Sequence, residues 1–161
     1  MLNSSLKHIT KLLAERLQQV IILQVHTNQY GFIKSRTIQD CLAWTLEYLH
    51  LCKSSKKELV ILKFDFEKAF DKIEHNTILQ ILQHKGFSEK WVMWIKNILD
   101  PGTSSALLNG ILGKAFHCRR GLRQEDPLSP LLFVLTTDLL QSLVNNANAQ
   151  GTLKLPLPKR D

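Results

Sequence analysis

The fold is decided by residues 63–71, Lys-Phe-Asp-Phe-Glu-Lys-Ala-Phe-Asp, and by the apolar run that leads into them. Residues 59–66 are rich in β-prone side chains between charged flanks, which predicts a buried strand. Because side chains of a strand alternate between faces, Ile61, Lys63 and Asp65 share one face. A buried carboxylate needs a cation or hydrogen-bond donors. We therefore expect Asp65 at the C-terminal end of a central strand, open to a cleft; alternatively, it only ends the strand and caps the next turn of the chain.

Composition predicts one globular domain with a basic surface. The chain has 161 residues, of which 44% are hydrophobic, so it is long enough for a core and disorder is not indicated. The net charge is +7, and the sequence pI is about 9.5. Such an excess of cations is typical of proteins that bind polyanions, although soluble basic proteins without such a partner are also common.

The cysteines and the apolar runs predict an intracellular protein, in the cytoplasm or the nucleus, that is not secreted. Cys41, Cys52 and Cys118 form no Cys-x-x-Cys pair, so neither a zinc site nor a disulfide framework is indicated. No apolar run approaches the roughly 18 residues that cross a membrane. The N-terminal apolar pattern is interrupted by charged residues and does not have the form of a secretory signal.

Helical periodicity and capping residues predict five helices. The first runs from a cap near residues 3–5 to about residue 23, and the second from a cap at Thr37 to about residue 51, with a broad apolar face. A third begins near residue 76 and ends at Gly86, a fourth begins at Ser88, and the last spans about 131–146. In the last helix we expect four leucines to point inward: Leu132, Leu135, Leu139 and Leu143.

One hairpin is predicted between the fourth and last helices. Two short strands, about 104–108 and 114–118, flank Asn109-Gly110, a dipeptide that favours a type I′ turn. A loop from residue 119 to residue 130 follows the hairpin and leads into the last helix.

Two motifs together resemble reverse transcriptases of the non-LTR (LINE-type) retrotransposons. Residues 65–71, Asp-Phe-Glu-Lys-Ala-Phe-Asp, resemble the first catalytic motif of that family. Residues 120–133, Arg-Gly-Leu-Arg-Gln-Glu-Asp-Pro-Leu-Ser-Pro-Leu-Leu-Phe, resemble its Gly-x-x-Gln-Gly-Asp-Pro-Leu-Ser-Pro motif. Residues 29–36 are similar to the family's Gln-x-x-Phe-Ile-x-x-Arg segment. The resemblance extends from residue 2 to about residue 158 and keeps the family's order.

The resemblance implies an α+β fold, an incomplete right-hand polymerase palm with part of the fingers. It implies fingers-like helices in residues 1–58, a palm-like core in 59–150 and an irregular tail in 151–161. The catalytic hairpin and the thumb are expected to be missing, because residue 161 falls about where the strand with the third motif begins.

The family chemistry is nucleotidyl transfer with two divalent ions, Mg²⁺ by expectation, which prefers carboxylate and phosphate oxygens. By resemblance, Asp65 is the first catalytic, metal-binding carboxylate, and the backbone carbonyl of Phe66 assists it. Phe70 falls where the family places the bulky residue that excludes a ribose 2′-hydroxyl, although a plain core role is the alternative. Arg123 and Gln124 are expected to contact the incoming deoxynucleoside triphosphate.

The expected partners are an RNA template and a DNA primer. Lys34 and Arg36 lie in a loop and are candidates for contacts with template or primer phosphates, as is Arg120. Each of these cations is equally consistent with a solvated loop. Asp71 and Asp126 are expected to be structural, through caps and local hydrogen bonds.

Two departures from the family pattern bear on activity. Glu125 stands where the family has Gly, which is used where the backbone takes an unusual conformation or approaches a ligand closely. The family's third motif, Ala-Asp-Asp, supplies two further carboxylates, and this sequence contains no Asp-Asp pair. Asp138 offers no replacement, because it is expected to face solvent from a helix whose inward side is leucine.

Three functions fit these observations. The first is a reverse transcriptase fragment that is inactive by itself, which the absent motif favours. The second is a nucleic-acid-binding remnant without chemistry. The third is a polymerase that borrows the absent carboxylates from another chain. Whether this chain is an enzyme is therefore left open by its sequence.

Overall fold

Four helices form the core of the protein. The computed structural model describes residues 4–100, 103–154 and 156–157. The core helices are α1 (Ser4–Gln24), α4 (His75–His84), α5 (Glu89–Leu99) and α6 (Ser129–Ala149). Helix α4 packs against both α5 and α6, and α1 packs against α6. Each helix contributes an apolar stripe with helical spacing, which association of the four removes from water.

The predicted boundaries of these helices are confirmed to within a few residues. The Ser88 hydroxyl caps α5 by accepting a hydrogen bond from the backbone N–H of Trp91 at 3.3 Å. Gly86, with a φ of 80°, follows α4 in the left-handed conformation expected after a helix. The best-buried side chains come from all four helices: Leu17, Ile21, Ile78, Leu82, Ile95, Leu132 and Leu135.

Asp138 of α6 is buried, so the expectation that it faces solvent is wrong. One of its carboxylate oxygens accepts a hydrogen bond from the backbone N–H of His26 at 2.8 Å. The other accepts from the Lys85 ammonium at 2.7 Å, and Lys85 also donates to the Gln24 carbonyl at the end of α1. This polar cluster joins α1, α4 and α6.

The inward face of α6 is correspondingly different from the predicted one. Leu132 and Leu135 are buried as expected, but Leu139 and Leu143 are exposed. The helix turns Asp138 toward the cluster with Lys85 instead, and its buried residues all precede or include Asp138. Asp138 thus lies on the buried face of this helix, where it is paired with Lys85.

Helix α2 (Ile38–Ser54) forms as predicted but presents its apolar face to solvent. Thr37 caps it by accepting a hydrogen bond from the backbone N–H of Asp40 at 3.2 Å. Cys52 is the one buried residue of this helix. Large exposed apolar side chains cover much of the rest of it: Ile38, Leu42, Trp44, Leu46 and Tyr48.

The predicted central strand over 59–66 is absent, which is a correction to the expected palm sheet. These residues belong to none of the described helices or strands. A strand exists only through hydrogen bonds to a neighbour, and within the described residues no backbone hydrogen bond joins 59–66 to another segment. The apolar pattern alone is therefore not sufficient to form a strand here.

The described sheet is confined to the hairpin region. Strand β2 (Leu107–Leu108) pairs with β3 (Ile111–Leu112) across a turn at Asn109 and Gly110, both with positive φ, which confirms the predicted turn. Outside this pair, β1 (Thr103–Ser104) pairs with β4 (Phe116–His117). The strands are shorter than predicted because the ladder is interrupted between the two pairs. With these strands and the dominant helices, the fold is mixed helix with little sheet.

None of the three cysteines forms a disulfide. Among the residues that the structure describes, none of the helices has the length and apolar character needed to span a bilayer.

Candidate active-site region

The two sequence motifs meet along a short backbone ladder. The Leu122 N–H donates to the Phe70 carbonyl at 2.8 Å, and the Gly121 N–H donates to the Ile73 carbonyl at 2.8 Å. Phe70 lies in α3 (Ala69–Lys72), the single turn of helix that ends the first motif. The loop that opens the second motif is thus bound directly to the segment that closes the first. We name this contact the motif junction.

His75 extends the motif junction at the start of α4. Its backbone N–H donates to the Arg119 carbonyl at 3.1 Å, and its Nε2 lies 2.8 Å from the Gly121 carbonyl oxygen. The imidazole is buried, so this hydrogen bond satisfies a polar group that is otherwise costly to bury. Sequence reasoning missed His75, although a histidine just before a predicted helix was a visible signal.

Gly121 allows the two backbones to approach closely. Its φ is 92°, and a Cβ on it would lie 3.3 Å from the Asp71 carbonyl oxygen. Any other residue would bring both a strained conformation and a tight contact. The first Gly of the second motif therefore has a packing role in the motif junction.

Phe70 of the motif junction is half-buried and packs against the hydrophobic core. Its ring stacks on that of Phe133 in α6, with centroids 4.7 Å apart and an angle of 11° between the planes. This contact supplies the core role that was the alternative for Phe70. Leu122, whose N–H is bonded to the Phe70 carbonyl, is buried as well.

The second motif continues into an exposed turn at Gln124 and Glu125. Glu125 has a φ of 64°, in the left-handed region that favours glycine, so a carboxylate residue occupies the position where the family pattern has Gly. Asp126 is buried, and its carboxylate accepts a hydrogen bond from the Leu128 N–H at 2.9 Å. Asp126 therefore has the structural role expected of it, ordering the turn before α6.

Asp65 and Phe66 lie outside the motif junction; both are exposed, on a stretch that belongs to no described helix or strand. Within the described residues, the Asp65 side chain accepts no hydrogen bond and pairs with no cation. Glu67, two residues on, is paired with Lys72 at 3.0 Å on the surface. The structure thus joins Phe70 to the second motif but does not bring Asp65 into contact with it.

The described residues do not fit a two-metal site. Nowhere in the described chain do three His, Cys, Asp or Glu side chains come together in a group that holds a metal ion. Two divalent ions need several hard oxygen ligands, whereas Asp65 stands alone.

Of the cations predicted to contact phosphate, Arg36 and Arg120 are bonded to groups of the protein itself, whereas Lys34 is exposed. Arg36 donates from its guanidinium to the carbonyls of His26 and Gln29, at 2.7 and 2.6 Å, and so holds its own loop together. Arg120 is paired with Glu74 across the motif junction. Lys34 is exposed and lines an open depression beside α1, where its neighbours include Gln18 and Ser35. Arg123 is half-buried.

Comparison with known proteins places the chain among retrotransposon proteins. A family model described as reverse transcriptase (RNA-dependent DNA polymerase) matches residues 1–154. The chain is 28% identical, over 97% of its length, to the transposon TX1 uncharacterized 149 kDa protein of Xenopus laevis. It is 30% identical, over 91% of its length, to the retrovirus-related Pol polyprotein from type-1 retrotransposable element R2 of Popillia japonica. It is 31% identical, over 89% of its length, to the corresponding type-2 R2DM polyprotein of Drosophila melanogaster.

These relatives are much longer proteins. The chain covers 12% of the Xenopus protein, 21% of the Popillia polyprotein and 14% of the Drosophila polyprotein. The similarity therefore concerns one region of each of them.

Proposed function

The chain belongs to the reverse transcriptase (RNA-dependent DNA polymerase) family of the non-LTR retrotransposons, and from this premise we propose that it is a polymerase fragment that does not extend a primer by itself. Family membership implies an RNA template, a DNA primer, nucleotide substrates and a divalent metal. The chain contributes the first and second motifs of the polymerase site, and its sequence contains no Asp-Asp pair to serve as the third.

The motif junction carries this proposal. The hydrogen bonds from the Leu122 N–H to the Phe70 carbonyl and from the Gly121 N–H to the Ile73 carbonyl hold the two motifs against each other, which supports a nucleotide site shared between them. Phe70 is fixed by its stack on Phe133, which supports a rigid wall beside the turn that carries Arg123 and Gln124. We assign nucleotide contacts to these residues and a steric role to Phe70.

The supply of carboxylates limits the chemistry. We assign Asp65 and the carbonyl of Phe66 to Mg²⁺ binding, but Asp65 is a single carboxylate on an exposed segment. Glu67 is paired with Lys72, and Asp138 is buried with Lys85 away from the surface. Glu125 adds a negative charge next to Gln124, which disfavours a triphosphate there. These residues therefore supply too few oxygen ligands to hold two metal ions.

Nucleic-acid binding without chemistry is the second candidate, and the net charge of +7 favours it. Phosphate contacts are electrostatic and do not depend on a complete catalytic site. Lys34 is the exposed cation that we assign to such a contact. Arg36 and Arg120 are engaged within the protein, so we assign them an indirect part, in holding the loop and the motif junction that face the nucleic acid.

Primer extension tests the proposal directly. The purified chain is incubated with an RNA template, a DNA primer, deoxynucleoside triphosphates and Mg²⁺ or Mn²⁺, alongside Asp65→Ala. We expect no extension from either protein, and Glu125→Gly alone does not restore it. Extension by the wild type that disappears in Asp65→Ala would make this chain a polymerase in its own right. A parallel mixture with a chain that carries an Ala-Asp-Asp motif tests whether carboxylates can be borrowed.

Salt-dependent binding distinguishes the two candidates. A fragment that keeps a basic surface binds a primer–template without sequence preference, and its affinity falls as salt rises because counterions are released. Binding without extension supports the nucleic-acid-binding remnant. An affinity that does not change with salt contradicts an electrostatic contact.

A further inference from the structure

One peptide group of the motif junction is held from both sides. It joins Gly121 to Leu122, and its carbonyl oxygen and N–H point in opposite directions because a trans peptide is planar. The Leu122 N–H donates to the Phe70 carbonyl at 2.8 Å. The Gly121 carbonyl oxygen lies 2.8 Å from Nε2 of His75. A rotation of this peptide group would therefore break both hydrogen bonds at once.

The His75 ring is itself held in place, so it can fix the position of the peptide group. The residue is 8% exposed, and its backbone N–H donates to the Arg119 carbonyl at 3.1 Å. A carbonyl oxygen only accepts hydrogen bonds, so we assign the proton of the ring to Nε2. Removal of this donor would take a hydrogen bond from a carbonyl oxygen in a partly buried site, which costs free energy.

The held peptide group is one of two anchors of the turn that carries Gln124. The chain leaves the buried Leu122, passes through residues 123–125 and reaches Asp126. Asp126 is the second anchor, because it is buried and its carboxylate accepts a hydrogen bond from the Leu128 N–H at 2.9 Å. So short a span between two fixed points has few available backbone paths. The orientation of the held peptide group therefore affects where Gln124 lies.

We propose that His75 is a positioning residue of the proposed nucleotide site. Its ring fixes the peptide group between Gly121 and Leu122, and through that group it sets the course of the turn with Gln124. The same peptide group is bonded to Phe70, so His75 also keeps this turn beside the residue to which we assign the steric role. The inference rests on the proposed function for its ligand, a deoxynucleoside triphosphate, whereas the hydrogen bond from His75 is a property of the chain by itself.

Four variants separate positioning from packing, since His75 also fills space at the start of α4. His75→Leu keeps an apolar side chain at this position but removes the donor. His75→Gln keeps a donor nitrogen at a similar distance from the backbone. Two controls lie in the same helix: His84→Leu changes an exposed histidine, and Ile78→Val removes one carbon from a side chain that is 1% exposed.

Amide hydrogen exchange followed by NMR tests the proposal without any ligand. Leu122 reports on the held peptide group, and Ile95 of α5 reports on the core. His75→Leu is expected to speed exchange at Leu122 about tenfold more than at Ile95, as the loss of one hydrogen bond predicts. His75→Gln is expected to stay within about threefold of the wild type. Ile78→Val speeds both amides by the same factor, and His84→Leu changes neither.

Titration with dTTP and Mg²⁺, followed by the NMR shift of the Gln124 amide, tests the link to the nucleotide. It is carried out in the Glu125→Gln background, which removes the opposing charge beside Gln124 and keeps a Cβ in the turn. Adding His75→Leu to this background is expected to weaken dTTP binding about tenfold. Adding His75→Gln keeps it within about threefold, and adding Ile78→Val leaves it unchanged.

The two measurements can each overturn the proposal. If His75→Leu speeds exchange at Leu122 no more than at Ile95, the ring contributes only to overall stability. If His75→Leu leaves the affinity for dTTP unchanged, the turn is placed without the ring. A background protein that binds no dTTP contradicts the nucleotide contact proposed for Gln124, and the exchange result then decides by itself whether His75 holds the turn.

Discussion

The helical core and the segment from α2 to Phe66 contain similar apolar residues, which are buried in the core and exposed in the segment. Leu82 of α4 and Ile95 of α5 are completely buried, whereas Leu62 and Phe64 are mostly exposed. In the core, four helices cover one another's apolar stripes. In the other region, the apolar side chains of α2 and of residues 60–66 stay largely exposed.

An apolar pattern is often taken to predict both which side chains share a face and that this face is buried, and the two regions show that these are separate properties. Periodicity determines which side chains share a face of a helix or a strand. Whether that face is buried depends on another element being present at the right place. Residues 59–66 illustrate the second condition, because their pattern predicts a strand and the described chain contains no strand beside them.

The largest expected effect contrasts a leucine of the core with a leucine of the exposed segment. Leu132→Ala removes a side chain that is 1% exposed and leaves a cavity, so it is expected to lower the free energy of unfolding by about 3–4 kcal/mol. Leu62→Ala removes the same atoms from a side chain that is 70% exposed, so it is expected to change that free energy by less than about 0.5 kcal/mol.

Urea denaturation followed by circular dichroism measures both variants. Equal losses for Leu132→Ala and Leu62→Ala would mean that the exposed segment is packed in solution as tightly as the core.

Local chemistry explains which parts of the fold the sequence predicts well. Thr37 and Ser88 each offer a hydroxyl to an N–H that a helix start leaves unpaired, and both act as caps. Asn109-Gly110 allows the two positive φ values of a tight hairpin turn. Each of these signals involves residues only a few positions apart, so a short stretch of sequence contains both partners of the interaction.

Asp138 takes part in an interaction that a short stretch of sequence does not reveal. Its partners, His26 and Lys85, are distant in sequence, and no periodic pattern identifies them. A signal was present, because Asp138 follows Leu131 by seven positions and Leu135 by three and so falls on the buried face of α6. A charged residue on such a face is buried only with a partner, which sequence alone did not name.

The second expected effect concerns this buried pair. Asp138→Asn keeps the shape of the side chain but leaves the Lys85 ammonium without its anion, in a site where the two side chains are 10% and 18% exposed. We expect the free energy of unfolding to fall by about 2–3 kcal/mol, near the low end for breaking one partner of a buried pair, because Gln24 still accepts from Lys85.

Glu47→Gln is the matched control for Asp138→Asn, since it also removes one carboxylate charge but from the exposed surface of α2. It is expected to change stability by less than about 0.5 kcal/mol. If both variants lose the same amount, net charge explains the result and the buried pair does not.

The parts of the candidate site are distant in sequence, so their predicted proximity rested on the resemblance to the family and not on local signals. The order of the two motifs predicted that Phe70 and the second motif share one region, and the motif junction places the Phe70 backbone against Leu122. The joint placement of Asp65 depended on a central strand that the described residues do not form. The roles of Asp65, Phe66, Arg123 and Gln124 in binding metal and nucleotide stay predictions.

A smaller effect tests the turn that the second motif makes. Glu125 has a φ of 64°, a conformation that costs a residue with a Cβ about 1–2 kcal/mol. Glu125→Gly removes this cost but adds conformational entropy to the unfolded chain, about 0.5–1 kcal/mol. The net expectation is a gain in stability of about 0.5 kcal/mol.

Arg123→Gly, in the same loop but without a positive φ, is the control and is expected to lose stability by roughly 0.5–1 kcal/mol. Thermal unfolding of the two variants beside the wild type gives the sign of each change. A loss of stability in Glu125→Gly would show that the Glu125 side chain makes a stabilising contact that outweighs the strain.

The smallest effect is expected for Lys34, which lies on the exposed surface of the loop that Arg36 holds together. Lys34→Gln leaves the fold intact and removes one proposed phosphate contact. For a nucleic acid bound by charge, each contact contributes close to one to the slope of log affinity against log salt. We expect this slope to become less steep by about one, with a loss of affinity that is largest at low salt. Lys114→Gln removes an equal charge from the hairpin region, and a slope that changes as much in this variant would assign the effect to net charge and remove Lys34 from the interface.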